Sequence, residues 1–194
     1  DGGENFTAHT VTTSANGASS VYAIDVDGDG DIDLLSASPS DNKIAWYENN
    51  GSEIFTAHTV STQAYGASSV YAFDMDNDGD IDFLAAFESY DTITWYENDG
   101  NENFTSYVVT TAVNNPKSVY ALDVDDDGDI DLLSASANDD KIAWYQNDGS
   151  ENFTVHTITT TANGASSVYA IDVDSDGDVD FLSASSYDDK IAWY

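Results

Sequence analysis

Four acidic nonapeptides stand at a fixed interval along this chain of 194 residues: DVDGDGDID (Asp25–Asp33), DMDNDGDID (Asp74–Asp82), DVDDDGDID (Asp123–Asp131) and DVDSDGDVD (Asp172–Asp180). Their first residues lie 49 positions apart each time. A period of that length means a chain of like units, each too small to bury an apolar face alone and each dependent on stacking against its neighbour. The repeat overrules the expectation from length, which would be one domain or two small ones.

Within one unit the residues read as strands. Ser20-Val21-Tyr22-Ala23-Ile24 enters the acidic loop, Ile32-Asp33-Leu34-Leu35-Ser36-Ala37 leaves it, and Lys43-Ile44-Ala45-Trp46-Tyr47 follows a polar turn. After Asn49-Asn50-Gly51-Ser52 the run Phe55-Thr56-Ala57-His58-Thr59-Val60 alternates towards the next unit. Short β-branched and aromatic runs separated by Gly, Asn, Asp and Ser make a meander of four strands. No apolar period of 3.6 residues runs long enough for a helix. A four-stranded meander at this spacing is expected to be a propeller blade, giving an all-β chain of four blades. The blades are expected at about residues 18–62, 67–111, 116–160 and 165–194, the last completed by 1–13. That completion rests on Phe6-Thr7-Ala8-His9-Thr10-Val11, a fourth-strand sequence placed ahead of any first strand. Pairing it with the last blade would close the ring and hide an edge. The competing expectations are an open half that dimerises into eight blades, and a piece of a longer propeller.

The loops have the chemistry of a hard cation site. In Asp-x-Asp-x-Asp-Gly-x-x-Asp, carboxylates at positions 1, 3 and 5 converge, and the glycine (Gly30, Gly79, Gly128, Gly177) permits the sharp turn. The carbonyl of position 7 and the carboxylate of position 9 are expected to complete a calcium shell. The expected ligands are Asp25, Asp27, Asp29, Asp31 and Asp33; Asp74, Asp76, Asp78, Asp80 and Asp82; Asp123, Asp125, Asp127, Asp129 and Asp131; and Asp172, Asp174, Asp176, Asp178 and Asp180. About four Ca2+ ions are expected, one per unit. Position 12 of the first copy is Ser36 rather than Glu, so a strand-loop-strand hairpin fits better than an EF-hand. A chain with no cysteine, and no histidine in the loops, does not suit zinc there.

A DxDxDGxxD hairpin inside a four-stranded repeat, with SVYA before it and DLLSAS after it, resembles the FG-GAP or VCBS type of β-propeller repeat. Such blades occur in integrin α-subunit heads, in several lectins and in large bacterial surface proteins. The resemblance covers all four units. It implies calcium in the acidic loops and ligands on the opposite face or in the clefts between blades. Integrin heads have seven such blades, and this chain departs from that number.

Charge bounds the partners. The net charge is −33, and the four loops hold five, five, six and five of the 37 acidic residues. With no arginine and only Lys43, Lys117, Lys141 and Lys190, the chain repels phosphate backbones and anionic lipid. No run of 18 apolar residues exists, so no membrane insertion is expected. The opening DGGENFT has neither the basic nor the apolar stretch of a secretory leader.

His9, His58 and His156, with Tyr107 in the remaining copy, recur in the fourth strand and are read as strand packing or surface exposure rather than catalysis. Trp46, Trp95, Trp144 and Trp193 recur likewise and are read as scaffold between blades. Variation between copies is the internal guide to a ligand surface. It falls in the turn between second and third strands and in the connection between units, both on the face opposite the acidic loops. The aromatics there, Tyr65, Phe87, Tyr90 and Tyr187, are expected to be exposed and to stack on a sugar or anchor a protein. The expected function is a non-enzymatic, calcium-binding recognition or scaffold module of a secreted or cell-surface bacterial protein, monomer or homodimer. Its ligand would be a glycan or a protein. The alternatives are a propeller domain of a polysaccharide-active, lyase-like enzyme, and half of an eight-bladed homodimer acting as a calcium-stabilised spacer.

Overall fold

The computed structural model describes residue 3 and residues 6–194. The first sheet comprises β1 (Ser20–Ile24), β2 (Asp33–Ser38), β3 (Lys43–Asn49) and β4 (Phe55–Ser61). The second comprises β5 (Ala67–Phe73), β6 (Asp82–Phe87), β7 (Thr92–Asn98) and β8 (Phe104–Thr110). In the third are β9 (Pro116–Leu122), β10 (Asp131–Ser136), β11 (Lys141–Asn147) and β12 (Phe153–Thr159). The last holds only β13 (Ala165–Ile171), β14 (Asp180–Ser185) and β15 (Lys190–Trp193). Every pairing is antiparallel between chain neighbours, and the described residues contain no helix.

The period of two along each strand decides how the sheets stack. On β2, Leu35 and Ala37 point forward with Ile44 and Trp46 of β3; they meet Phe83, Ala85 and Phe87, which point backward from the second sheet. The same arrangement recurs once per step. Leu84, Ala86, Ile93 and Trp95 meet Leu132, Ala143 and Tyr145, and then Leu133, Ala135 and Ile142 meet Val168, Ala170 and Phe181. Each seam removes large side chains from water at roughly 1.5–3 kcal/mol apiece. The inner strands are also stitched polar to polar. The hydroxyls of Ser20, Ser69 and Ser118 accept the backbone N–H of Val70, Val119 and Val168 in the next sheet. Tyr22, Tyr71, Tyr120 and Tyr169 stack along the same line with ring centroids 4.4, 4.9 and 4.7 Å apart.

Four sheets thus share three apolar seams, and the described residues form no fourth. Ile191 is 85% exposed, whereas its counterparts Ile44, Ile93 and Ile142 are fully buried. Val21 at the other end is 68% exposed against about 4% for Val70 and Val168. The expected pairing of Phe6–Val11 with the last blade is not formed: this segment is irregular, Phe6 is almost wholly exposed, and the last sheet keeps three strands. The reason is topological. β4, β8 and β12 each fold back on the preceding strand through a short hairpin, but Phe6–Val11 can reach β15 only if the first and last sheets meet. The part of that closing segment at residues 1, 2, 4 and 5 lies outside the described residues.

The stacking sorts the loops onto two faces. The acidic loops lie beside the β3–β4 type hairpins, where Gly51, Gly100 and Gly149 leave room for the carboxylates of Asp31, Asp80 and Asp129. On the opposite face the β2–β3 type turns touch the connections between sheets, as where Ser40 fits against Gly17 and Ser89 against Gly66.

Candidate functional site

Each acidic loop joins the first two strands of its sheet, and its geometry follows from its own carboxylates. Asp25, Asp74, Asp123 and Asp172 each accept the N–H of the glycine five residues on, at 2.9, 3.0, 3.0 and 3.2 Å. That glycine takes a positive φ (94° at Gly30), a conformation in which other residues are strained. Position 5 accepts the N–H of position 7, at 2.8 Å for Asp29 and 2.9 Å for Asp78 and Asp127. The chain is therefore wound around its acidic side chains, and these are drawn together. Oxygens of Asp25, Asp27 and Asp29 lie within 4.8 Å of one another, as do those of Asp74, Asp76 and Asp78 and those of Asp123, Asp125 and Asp127. In the last loop the grouped residues are Asp172, Asp174 and Asp180.

This donor set fits a divalent cation. Three hard oxygens converge in each loop, and the buried Oδ1 atoms of Asp74 and Asp123 have no hydrogen-bond donor. An acceptor left orphaned in this way costs free energy unless something positive meets it. Burial, followed by repulsion from neighbouring carboxylates, raises the carboxyls of Asp76 and Asp174 above the ordinary range. Asp27 is raised chiefly by burial, with repulsion from Asp29, Asp33 and Asp25 adding to it. A cation beside them would act in the opposite direction and lower all three.

The position-nine carboxylates have their own partners. Asp33 accepts the N–H of Val26 at 2.8 Å through one oxygen and that of Asn49 at 2.7 Å through the other. Asp82 does the same with Met75 and Asn98, and Asp131 with Val124 and Asn147. All three are fully buried and tie the loop to the third strand. Burial pushes Asp82 up to about 7 despite those donors, and raises Asp131 likewise. Asp31, Asp80, Asp129 and Asp178 lie outside the convergent groups, as does Asp176.

Three of the recurring tryptophans pack on the fourth strand, whereas Trp193 and His9 at the two ends of the stack are exposed. Trp46 stacks on His58 at 4.5 Å, Trp144 on His156 at 4.6 Å and Trp95 on Tyr107 at 5.1 Å. His58 also bonds Glu48 at 2.8 Å.

Of the four aromatics expected on the far face, Tyr65, Tyr90 and Tyr187 are exposed, and Tyr65 meets Tyr90 edge-on at 5.4 Å. Phe87 is a correction. It lies buried in the first seam because it ends a strand whose alternation turns it backward onto the first sheet. Phe87 and Tyr90 line an open groove of about 720 Å³ between the first and second sheets, together with Thr92, Thr94 and Tyr96. Tyr187 sits two sheets away, over Gly164. Sequence reasoning compared the turns and missed Thr92 and Thr94, which lie in the third strand. The signal was a lysine at 43, 141 and 190 but not at 92.

The FG-GAP-like repeat family matches residues 25–85, 74–134 and 123–183, each match running from one acidic loop into the second strand of the following unit. None of the curated proteins compared with the chain matches it. Among solved structures, an Agrocybe aegerita lectin described as recognising non-reducing terminal N-acetylglucosamine is similar at 17% identity and TM-score 0.58, over 84% of this chain and 46% of that one. A catalytically inactive virginiamycin B lyase from Staphylococcus aureus, solved with quinupristin, is similar at 11% identity and TM-score 0.58, over 94% and 57%. A functionally unknown protein from Desulfotomaculum acetoxidans gives 13% identity and TM-score 0.55, over 91% and 55%. The chain spans about half the length of these structures, and the likeness is one of fold. With the family matched across most of the chain, and its acidic loops wound as described, the chain belongs to the FG-GAP-like repeat proteins.

Proposed function

We propose that the chain is a calcium-binding recognition module of a secreted or cell-surface protein, non-enzymatic, with a glycan as its ligand. The observation that carries the reading is the convergence of three carboxylates in every one of the four loops, two of them with an orphaned buried oxygen. Calcium would be held by Asp25, Asp27 and Asp29 and by their counterparts, with the position-seven carbonyls and position-nine carboxylates as further candidates. It would neutralise like charges that otherwise oppose the loop fold. The ion's chemistry here is structural, since each loop opens to solvent and repeats in every unit.

Support for recognition comes from the far face, where Tyr65, Tyr90 and Tyr187 offer exposed rings to a sugar. A lectin and a lyase both stand among proteins of like fold, so fold does not decide between binding and catalysis. The non-enzymatic reading rests on the repeat itself: carboxylates and histidines recur at register positions in which packing or cation binding accounts for them. A glycan array probed with and without calcium tests the reading. Calcium-dependent sugar binding supports it, and turnover of an acidic polysaccharide would overturn it.

A second reading is favoured by the exposed apolar residues at the two ends of the stack, Val21 on the first sheet and Ile191 and Trp193 on the last. The forward face of the last sheet carries the residue types that fill each internal seam, and the backward face of the first carries their complement. Two copies could therefore repeat the seam twice and close eight blades.

A further inference from the structure

The second sheet breaks the repeat at a cluster of neighbouring positions, and these breaks fit together. On the backward faces of the first, third and fourth sheets the register positions hold Ser36, Ser38, Lys43 and Ala45, then Ser134, Ser136, Lys141 and Ala143, then Ser183, Ser185, Lys190 and Ala192. The second sheet has Ala85, Phe87, Thr92 and Thr94 instead. These are direct cross-strand neighbours, Ala85 opposite Thr94 and Phe87 opposite Thr92. The turn changes with them, because Asp41, Asp139 and Asp188 have Tyr90 as their counterpart.

What the change removes is visible in the other sheets. There each lysine pairs with its aspartate, at 3.3 Å for Lys43–Asp41 and 3.0 Å for both Lys141–Asp139 and Lys190–Asp188. Each lysine also caps a backbone carbonyl of the segment before its own sheet: Ser14, Ala112 and Thr161. The residue in register is Gln63, and Thr92 is too short to take the lysine's place. The tyrosine hydroxyls respond as well. Tyr47, Tyr145 and Tyr194 pair with Ser36, Ser134 and Ser183 of their own sheets. Tyr96 has Ala85 in the serine's place, which offers its hydroxyl no partner within the sheet.

The result is the groove of about 720 Å³ already described, now with a chemical character. That volume is in the range of about 300–1,000 Å³ usual for small-ligand sites. Tyr90 supplies an exposed ring at its mouth and Phe87 a buried apolar wall. Thr92, Thr94, Tyr96 and Gln63 supply hydroxyls and an amide. No lining residue is charged, in a chain whose net charge is −33. An ionic ligand would find no counter-charge here, whereas a polyol with an apolar face finds both a ring to stack on and groups to hydrogen-bond.

We propose that this groove, created by the loss of the Asp–Lys pair from the second sheet, is the binding site of the chain for a neutral sugar residue. The inference rests on the glycan reading above and narrows it to one seam and to uncharged sugars. The site is single per chain, unlike the fourfold acidic loops.

The test is to write the repeat's own residues back into the second sheet. The double variant Tyr90→Asp/Thr92→Lys restores the pair found in the other three and is expected to melt no lower than the parent. A panel of glucose, galactose, N-acetylglucosamine, lactose and cellobiose, with galacturonic acid as the charged comparison, is titrated calorimetrically into both proteins. The parent should bind at least one neutral sugar and discriminate against galacturonic acid. The double variant should lose affinity by about tenfold or more, since a ring is removed and a charged chain fills the groove. Tyr90→Ala, at a half-exposed position and expected to stay folded, should lose binding in the same direction. Undiminished binding by both variants would overturn the groove and leave the glycan reading intact. Failure of the parent to bind any sugar would overturn both.

Discussion

At the scale of single residues, the aspartates of one loop are written alike and act differently. Asp131 is buried with backbone donors on both oxygens, while Asp125 is exposed and meets other carboxylates. Asp131→Asn should therefore lower the melting temperature whether or not calcium is present, because an amide cannot accept both N–H groups. The cost is about 1–3 kcal/mol. Asp125→Asn should leave the chelated protein's melting temperature nearly unchanged and reduce only the increment that calcium adds. Paired melts of the two variants with chelator and with calcium check this. The motif's spacing made the carboxylate cluster legible in advance. It did not show that Asp33, Asp82 and Asp131 are buried anchors, because burial depends on the third strand passing behind the loop. Phe87 was misjudged for a related reason: proximity to a turn suggested exposure, but strand alternation decides where the ring points.

At the scale of elements, turn residues and alternation predicted an all-β chain of meanders, and the strands form as antiparallel neighbours in each unit. The seams then give otherwise identical strands unequal weight. Trp95 is buried between sheets, whereas Trp193 in the same register is 53% exposed because no described residue covers that face of the last sheet. Trp95→Ala should destabilise the protein by about 3–5 kcal/mol, the range for emptying a large core site. Trp193→Ala should cost far less, which denaturant unfolding of both variants can measure. Equal losses would mean that the last sheet is covered in solution. The acidic loops belong to this scale as well. Their carboxylates must be ionised to hold a cation, and Asp27, Asp76 and Asp174 are raised, so the stabilisation by calcium should begin to shrink, as the pH falls, above the ordinary carboxylate range.

At the scale of the whole molecule, the repeat predicted stacking but could not decide how the stack ends. Closure depends on whether the first and last sheets meet, a relation that no local pattern encodes, and in the structure Val21 and Ile191 face outward. Sedimentation equilibrium should find a species of twice the chain mass if a second copy supplies the missing seams. Trp193→Ala and Ile191→Asp should then shift it to monomer. A monomer at all concentrations would leave the end faces uncovered and remove the eight-bladed reading. Beneath this question lies the claim that the chain is a calcium-loaded array, and one calorimetric titration of calcium into chelator-treated protein, followed by melts of the same samples, addresses it directly. The account predicts close to four ions per chain and a rise in melting temperature. Each site contributes about 2.7 kcal/mol when free calcium exceeds its Kd a hundredfold. No heat of binding, with a melting temperature indifferent to calcium and chelator alike, would contradict it.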